Sequence, residues 1–309
     1  MIVTITANPC LDRNVLVERM VSDDTMYPIQ ATDDPGGSGI NVSRVLTRFE
    51  RANIAVGFVG GGTGEDLIKL LDEENVKHQF TRITGNTRIN LIISDKTTRE
   101  QYRISFPGPK ISQAELDSFM VGMRQYLDAE FWSIGGSLSN GTPTTLYRDI
   151  IKLGKAHGVK VVLDSHGEPF ILGLEEGPFM VKPNEFELSR LVKRELHTLE
   201  DFVEAAMELH RRGVSIVVAS RGARGAILVS DKGVWNAIPP KVEVKSKVGA
   251  GDSTVAGVLM ALAEGLGHDE AVRLGVACGT ATTLTEGTGL CHRSDVEEIY
   301  KKVVVQTID

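Results

Sequence analysis

The segment Gly249-Ala250-Gly251-Asp252 places an acid directly after a turn of small residues and just before a small, apolar run at 255–263. Such a run is typical of a buried helix, and the first N–H groups of a helix have no partner inside it. These donors and the helix dipole attract an anion, typically a phosphate, and Asp252 would stand where a substrate hydroxyl meets it. The alternative is an ordinary helix start, capped by Asp252 or Ser253.

Two further features of the sequence could hold a polar ligand. Asp12 closely follows the first β-branched run, at 2–6, and an acid there could bind the vicinal hydroxyls of a polyol. Gly36 and Gly37 precede a helical pattern that contains Asn41. Glycine lets a backbone approach a ligand closely, and the asparagine amide offers both a donor and an acceptor. By position alone, Asp12 could equally cap a turn.

Asn184 and Glu187 lie three residues apart after another apolar run, and they would therefore share one face of a helix. An amide and a carboxylate in that arrangement suit a Mg²⁺ ion that is held mainly through water. Asp164, at the end of a further apolar run, could join them. The same spacing is that of a capping box, which is the simpler interpretation on local grounds.

The segment from Ser220 to Gly225, Ser-Arg-Gly-Ala-Arg-Gly, separates two apolar runs. Its glycines and arginines could lie along nucleotide phosphates, or they could form a hairpin-type turn with solvated charges. The sequence contains neither a P-loop motif nor the Gly-x-Ser-x-Gly elbow of serine hydrolases. Neither of those enzyme classes is therefore indicated.

The composition of the chain limits the classes of partner that it could bind. The chain of 309 residues carries 34 basic and 41 acidic residues, a net charge of −7, without a basic block, which argues against nucleic acid as a partner. Cys10, Cys278 and Cys291 lack Cys-x-x-Cys spacing, so we expect free thiols. The start lacks a signal-peptide pattern, and no apolar run is long enough to span a membrane. We therefore expect a cytoplasmic protein without a membrane partner.

The elements that must position these residues alternate along the chain. From residue 112 onward, strand patterns at 131–134, 159–163, 179–181, 215–219 and 226–229 alternate with helical patterns at 112–127, 142–157, 184–193 and 199–212. Such alternation predicts an α/β fold, a mostly parallel sheet covered by helices on both faces. Two β-like insertions, about 13–34 and 86–107, would form a lid on one domain, residues 1–309. Ligands bind beside the carboxyl ends of the strands in such sheets.

The order of these motifs resembles that of the PfkB (ribokinase-like) carbohydrate kinases: an acid after the first strand, then Pro-Gly-Gly-x-Gly-x-Asn, Lys-Pro-Asn-x-x-Glu and Gly-Ala-Gly-Asp. The likeness covers essentially the whole chain, and the string Thr-Arg-x-Asn-Leu at 87–91 is similar to the 6-phosphofructokinases of that family. The resemblance implies a three-layer α/β/α sandwich with a mostly parallel central sheet and a small β lid. It also implies ATP and Mg²⁺, with K⁺ as a further candidate cofactor, and a homodimer formed through the lid.

The resemblance further implies a role for each candidate residue. Asp252 would be the general base, beside an anion hole formed by the N–H groups of Gly249, Ala250 and Gly251. Mg²⁺ would be organised by Asn184 and Glu187, with Asp164 nearby. The residues along ATP would be Lys182, Ser220, Gly222 and Gly225. The residues that hold the sugar would be Asp12, Gly36, Gly37 and Asn41, and those that contact a phosphate already on it would be Arg88, Arg103 and Ser137.

The lid departs from the family pattern. Phosphosugar kinases of this group usually carry basic residues in the first lid segment, whereas residues 21–34 contain none and the acidic pairs at 23–24 and 33–34 would repel a phosphate. Arg88 and Arg103 nevertheless indicate a phosphorylated acceptor, for which fructose 6-phosphate is the first candidate. The alternatives are tagatose 6-phosphate, fructose 1-phosphate, or an unphosphorylated sugar, polyol or nucleoside. A nucleotide-binding regulator without catalysis is the alternative from another class.

Overall fold

A computed structural model describes residues 1–308 of the chain. The strands are β1 (Ile2–Thr6), β2 (Cys10–Val17), β3 (Gln30–Gly36), β4 (Asn53–Val59), β5 (His78–Arg82), β6 (Arg88–Asp95), β7 (Gln101–Ser105), β8 (Phe131–Gly135), β9 (Lys160–Asp164), β10 (Met180–Val181), β11 (Ile216–Ser220), β12 (Ala226–Ser230), β13 (Gly233–Ile238) and β14 (Val304–Ile308). The helices are α1 (Ser38–Arg48), α2 (Gly61–Glu73), α3 (Gln113–Met123), α4 (Leu146–Ala156), α5 (Gly167–Glu175), α6 (Glu185–Val192), α7 (Leu199–Arg211), α8 (Ala250–Ala263), α9 (His268–Thr282) and α10 (Arg293–Tyr300).

Ten strands form the central sheet, in the order β14-β13-β12-β11-β10-β9-β8-β1-β4-β5. The strands from β11 to β5 pair in parallel, and β12, β13 and β14 add an antiparallel edge. Parallel neighbours need crossover connections, and the helices supply them. The carboxyl ends of the parallel strands therefore open on one edge of the sheet.

The sheet buries both of its faces. Val161 and Leu163 of β9 belong to one core cluster, which includes buried side chains of α3 to α7. Val162, between them, belongs to a second cluster with side chains of α1, α8, α9 and α10. Because successive side chains of a strand point to opposite faces, the helices form two layers around the sheet. The predicted three-layer α/β/α sandwich is confirmed.

A second sheet of four strands, in the order β3-β2-β6-β7, is called the lid below. Strand β2 pairs with β3 in antiparallel fashion and with β6 in parallel, and β7 closes the edge. Its strands fall within or beside the two predicted insertions, although β2 begins at Cys10, earlier than the first insertion. Helix α2 contacts the lid strands β2 and β3, and residues of β2, β6 and β7 line a cavity shared with the central sheet.

The three thiols, Cys10, Cys278 and Cys291, are buried and free, as expected. Within residues 1–308, no helix is both long and apolar enough to cross a membrane.

Candidate active site

A cavity of about 510 Å³ lies between the lid and the carboxyl ends of the central strands. Its floor comes from the residues that follow β1, β8, β9 and β10, and from the start of α8. Its roof comes from the lid, through residues of β2, β6 and β7. This position agrees with the general rule that open α/β sheets bind ligands beside the carboxyl ends of their strands.

The start of α8 forms one end of the cavity. Gly249 precedes the helix in a left-handed conformation, φ 75°, and no side chain caps the helix there. Asp252 is the third residue of α8, so the alternative that Asp252 or Ser253 is an ordinary N-cap is wrong. The N–H groups of the first turn are therefore left without a side-chain acceptor beside the cavity, as an anion site requires.

Asp252 is held by a residue from the other side of the cavity. Asn41 of α1 donates a hydrogen bond from Nδ2 to Asp252 Oδ2 at 2.8 Å. Burial, reinforced by the negative charge of Asp164, raises the pKa of Asp252 to about 6. The hydrogen bond from Asn41 and the positive charge of Lys182 oppose this shift without cancelling it. A carboxylate with this pKa is ionised at neutral pH and is a stronger base than an ordinary aspartate.

Lys182 brings a positive charge to the same end of the cavity. It is buried, and its Nζ lies 3.2 Å from Asp164 Oδ1. Nζ also lies beside Gly251, because a Cβ added there would stand 3.0 Å from it. Burial would lower the pKa of Lys182, but the charges of Asp164 and Asp252 outweigh it and hold the pKa above its ordinary value. The ammonium therefore stays charged next to the anion site.

The predicted metal residues are only partly brought together. Asn184 and Glu187 form the capping box of α6, with Glu187 N–H to Asn184 Oδ1 at 2.9 Å and Asn184 N–H to Glu187 Oε2 at 2.8 Å. Glu187 and Asp164 line the cavity, whereas Asn184 lines an adjacent one. Among residues 1–308, no three Asp, Glu, His or Cys side chains converge as metal ligands. Two carboxylates around a lysine fit a cation held through water and substrate oxygens, the binding mode that Mg²⁺ prefers.

The residues predicted to lie along ATP divide between two places. Ser220 and Gly222 line the adjacent cavity, and Ser220 forms a parallel bridge with Asn184. Gly225 lies against the backbone, since a Cβ there would come within 1.9 Å of the Ala237 carbonyl oxygen. This segment turns β11 into the antiparallel β12, so the hairpin part of the alternative is confirmed, whereas its solvated charges are wrong for the buried Arg221.

The two arginines of that turn have protein partners. Arg221 is buried and donates from Nη2 to Asn236 Oδ1 at 2.6 Å. Arg224 donates to Glu185 Oε2 at 2.6 Å. The turn therefore offers its backbone and the Ser220 hydroxyl, rather than free cationic side chains, to a nucleotide.

Asp12 lies at the other end of the cavity within a network of the lid. It is buried, and Asn90 Nδ2 and Cys10 Sγ donate to its Oδ1 at 2.9 and 3.2 Å. Gly36 packs beneath it, and a Cβ at that position would lie 2.4 Å from Asp12 Oδ2. Gly36 therefore serves to make room for Asp12, while Gly37 lines the cavity itself.

Arg88 and Arg103 reach the cavity from the lid strands β6 and β7, and Ser137 reaches it from the segment after β8. Arg88 donates to the carbonyl oxygens of Phe106 and Asn8, each at 3.1 Å, but its buried Nε has no hydrogen-bond partner. The buried Nε atoms of Arg221 and Arg273, which do not line this cavity, also lack a partner. What distinguishes Arg88 is therefore its place beside Arg103 in the lining of the cavity.

The acidic pairs at 23–24 and 33–34, which were expected to repel a phosphate, do not line the cavity. Asp33 pairs with Arg13 at 2.7 Å, and Asp34 accepts hydrogen bonds from Asn14 and Thr288. The acid of the lid that does line the cavity is Asp12 of β2.

The cavity also contains residues that sequence reasoning did not select: Asn8, Cys10, Ser38, Asn90, Ser105, Ser165, His166 and Lys247. Asn90 had a detectable signal, because it lies two residues from Arg88 on one strand and shares its face. His166 precedes α5 as its N-cap. The others meet in the cavity only through the order of the strands, which the sequence does not specify.

The fold is a ribokinase-like three-layer α/β/α sandwich with a β lid, and its cavity is lined by Asp252, Lys182 and the uncapped start of α8. The chain matches the pfkB family carbohydrate kinase over residues 5–295, and it belongs to that family. It is 36% identical to the 1-phosphofructokinase of Bacillus subtilis, covering 94% of each chain. It is 35% identical to the ATP-dependent 6-phosphofructokinase isozyme 2 of Escherichia coli, covering 97% of each.

Among solved structures, it is similar to the Escherichia coli phosphofructokinase-2 in complex with substrates and products. The TM-score is 0.92 at 35% identity, over 97% of this chain and 98% of that one. A structure of the same enzyme in complex with potassium gives a TM-score of 0.91 over the same shares of the two chains, again at 35% identity.

Proposed function

We propose that this carbohydrate kinase transfers the terminal phosphoryl group of ATP to fructose 6-phosphate and forms fructose 1,6-bisphosphate. The observation that carries the proposal is that two arginines of the lid, Arg88 and Arg103, line the same cavity as Asp252. Two arginines at one end of a cavity suit an oxyanion ligand, because charged hydrogen bonds to phosphate are among the strongest in proteins. Arg103 and Ser137 would share the same phosphate.

The nucleotide would bind with its phosphates at the first turn of α8 and along the strand-end residues Lys182 and Ser220. Phosphoryl transfer depends mainly on positioning and on stabilising the negative charge of the transferring group. The uncapped N–H groups at 249–251 and the Lys182 ammonium supply fixed positive charge for that purpose. Asp164 and Glu187 would hold Mg²⁺, which neutralises phosphate oxygens when it is bound.

The acceptor hydroxyl would lie between Asn41 and Asp252. Asn41 donates to Asp252 through Nδ2, and its Oδ1 is buried without a protein partner, so it can accept from the hydroxyl or from a neighbouring one. Asp252 would take the proton as the new O–P bond forms. Its raised pKa suits this role, since the proton must end on a group that binds it firmly. The lid would exclude water and so limit hydrolysis of ATP.

Fructose 1-phosphate is the second candidate acceptor. The chain is 36% identical in sequence to the Bacillus subtilis 1-phosphofructokinase and 35% identical to the Escherichia coli 6-phosphofructokinase. Sequence identity therefore does not favour one acceptor over the other. Both reactions give fructose 1,6-bisphosphate and require one phosphate at the Arg88 end and one hydroxyl at Asp252. The two candidates differ in which end of the sugar faces Asp252.

We also propose that the lid forms a homodimer interface and that K⁺ supports activity. Arg103 and Ser105 of β7 face the cavity, so the alternate residues Tyr102 and Ile104 face away, and they are 41% and 47% exposed. Apolar side chains exposed on a sheet commonly mark a protein interface. The potassium proposal rests on the relative that has been solved with that ion.

An assay of ADP release from MgATP over a panel of acceptors tests this function. The panel contains fructose 6-phosphate, fructose 1-phosphate, tagatose 6-phosphate, fructose and a nucleoside. We expect kcat/KM to be highest for fructose 6-phosphate and at least about a hundredfold lower for fructose, the scale of one or two lost charged hydrogen bonds. Turnover on unphosphorylated acceptors alone would contradict the proposal. ATP binding without turnover on any acceptor would indicate a regulator.

A further inference from the structure

A single loop connects the lid to the anion site. The loop, residues 285–291, follows α9 and contacts the lid through Thr288. Thr288 is fully buried and donates from Oγ1 to Asp34 Oδ2 at 2.5 Å, and it accepts from Asn14 Nδ2 at 3.3 Å. Asp34 lies on β3 and Asn14 on β2, so one hydroxyl contacts both strands at the base of the lid.

The same loop packs against the turn that begins α8. Leu290 is fully buried, and a Cβ added to Gly249 would stand 2.3 Å from its Cδ2. Leu290 has a left-handed backbone, φ 56°, which is strained for leucine and persists only where the surroundings impose it. Ser246 makes a second link, since its Oγ donates to the Gly287 carbonyl at 2.7 Å and accepts from Val248 N–H at 3.2 Å.

Helix α1 fixes the backbone of the loop between these two ends. The buried guanidinium of Arg44 donates from Nη1 to the carbonyl oxygens of Thr288 and Pro35, at 3.2 and 3.1 Å. Arg48 donates to the Gly289 carbonyl at 2.6 Å. Pro35 belongs to β3 of the lid, so the same guanidinium that holds the loop also holds the root of the lid.

We infer that Thr288 and Leu290 are positioning residues which make the geometry of the anion site depend on the position of the lid. Neither residue lines the cavity, and both are fully buried. A lid seated on its acceptor holds Thr288 through Asp34, and the loop, bound by Arg44 and Arg48, then holds Gly249 in its left-handed conformation through Leu290. The kinetic consequence rests on the proposed kinase function, whereas the mechanical link does not.

The test replaces Thr288 with valine, which keeps the shape of the side chain and removes the hydroxyl. Thr285→Val is the matched control, because its hydroxyl donates within the same loop, to the Thr282 carbonyl at 2.7 Å, and not to the lid. Thr288→Ser restores the hydroxyl and should restore wild-type behaviour. Hydrogen exchange of backbone amides is measured on the whole protein without substrate.

In Thr288→Val we expect at least about threefold faster exchange both in the lid strands β2 and β3 and at residues 248–252, and no such change in Thr285→Val. Faster exchange confined to residues 286–290, or equal effects of the two variants, would overturn the inference. Asp34→Ala removes the same hydrogen bond from the lid side, where the side chain is partly exposed, and should give the same pattern of faster hydrogen exchange. If Thr288→Val folds poorly, the exchange of Asp34→Ala provides the test.

Steady-state kinetics give the functional readout. With the acceptor that the wild-type enzyme prefers, Thr288→Val should lower kcat/KM for the sugar about tenfold, the loss of one hydrogen bond to a charged group, while KM for ATP changes less than about twofold. Equal losses of kcat/KM for the sugar and for ATP would contradict the proposed link between the lid and the anion site. If the wild-type protein phosphorylates no sugar phosphate, the proposed function fails, and the exchange experiment still decides the link.

Discussion

Asn41 Nδ2 donates a 2.8 Å hydrogen bond to Asp252 Oδ2, joining residues that are 211 positions apart in the chain. The bond connects α1, which begins just after the lid strand β3, to the first turn of α8. It fixes the proposed base relative to the sugar side of the cavity and leaves Asn41 Oδ1 for a ligand hydroxyl.

The pH dependence of activity should report the pKa of Asp252. Burial and the charge of Asp164 raise that pKa to about 6, and the base must be ionised to accept a proton. We therefore expect kcat/KM for the sugar to be level above pH 7 and to fall about tenfold per pH unit below about 6. The profile is measured with ATP saturating and corrected for titration of the sugar phosphate. A profile that stays level down to pH 4.5 would rule out this assignment.

The same pKa has a cost in stability. A carboxyl group whose folded pKa lies above its ordinary value, 3.8, contributes stability that is present at low pH and lost as pH rises through about 6. Asp252→Asn mimics the neutral form, so it should stabilise the protein at pH 8 by roughly 3 kcal/mol. Below pH 4 the gain should vanish. Chemical denaturation at the two pH values checks this, and a destabilised variant at pH 8 would contradict it.

Arg88→Ala should discriminate between phosphorylated and plain acceptors. Removing a charged hydrogen-bond donor costs about 1.5–3 kcal/mol, which is roughly ten- to a hundredfold in KM. We expect this increase for fructose 6-phosphate and a much smaller one for fructose. Lys96→Ala is the control, since Lys96 is another lid cation but pairs with Glu18 outside the cavity. Equal changes for both acceptors would show that Arg88 does not bind the phosphate.

The exposed face of the lid provides a test of the proposed dimer. Ile104→Asp places a charge on the outer face of β7, where a partner lid would bury it at considerable cost. We expect the variant to become monomeric by light scattering during gel filtration. Val121→Asp changes a 66% exposed side chain on α3, a helix that packs on the central sheet, and should leave the assembly unchanged. A wild-type monomer, or an Ile104→Asp dimer, would contradict the proposal.

The central sheet followed closely from the sequence because its strands are apolar and alternate with amphipathic helices. The predicted pattern at 159–163 corresponds to β9, Lys160–Asp164. The lid strands were harder to predict from the sequence. Strand β3 reads Gln-Ala-Thr-Asp-Asp-Pro-Gly, and its first residues are exposed. A strand that buries little apolar surface has no strong hydrophobic period to detect. The edge strand β14, also mostly exposed, was missed for the same reason.

The sequence singled out the turn before Asp252 as a candidate because one segment contains its glycines, its acid and the helix that follows. Candidates whose role depends on neighbouring elements could not be decided in this way. The spacing of Asn184 and Glu187 is the same for a capping box and for a metal pair, and the structure shows the capping box. Asn90 becomes a partner of Asp12 only because β6 pairs with β2 in parallel, a register that the sequence does not show.

Replacing Asp252 with asparagine tests the central claim most directly, because it removes the base and retains the shape of the side chain. ADP release with fructose 6-phosphate and the affinity for MgATP are measured for the wild-type enzyme and for the variant. The account predicts a loss of about a thousandfold or more in kcat with MgATP affinity changed by less than about threefold. A variant that retains kcat within about tenfold of wild type would contradict Asp252 as the base of the reaction.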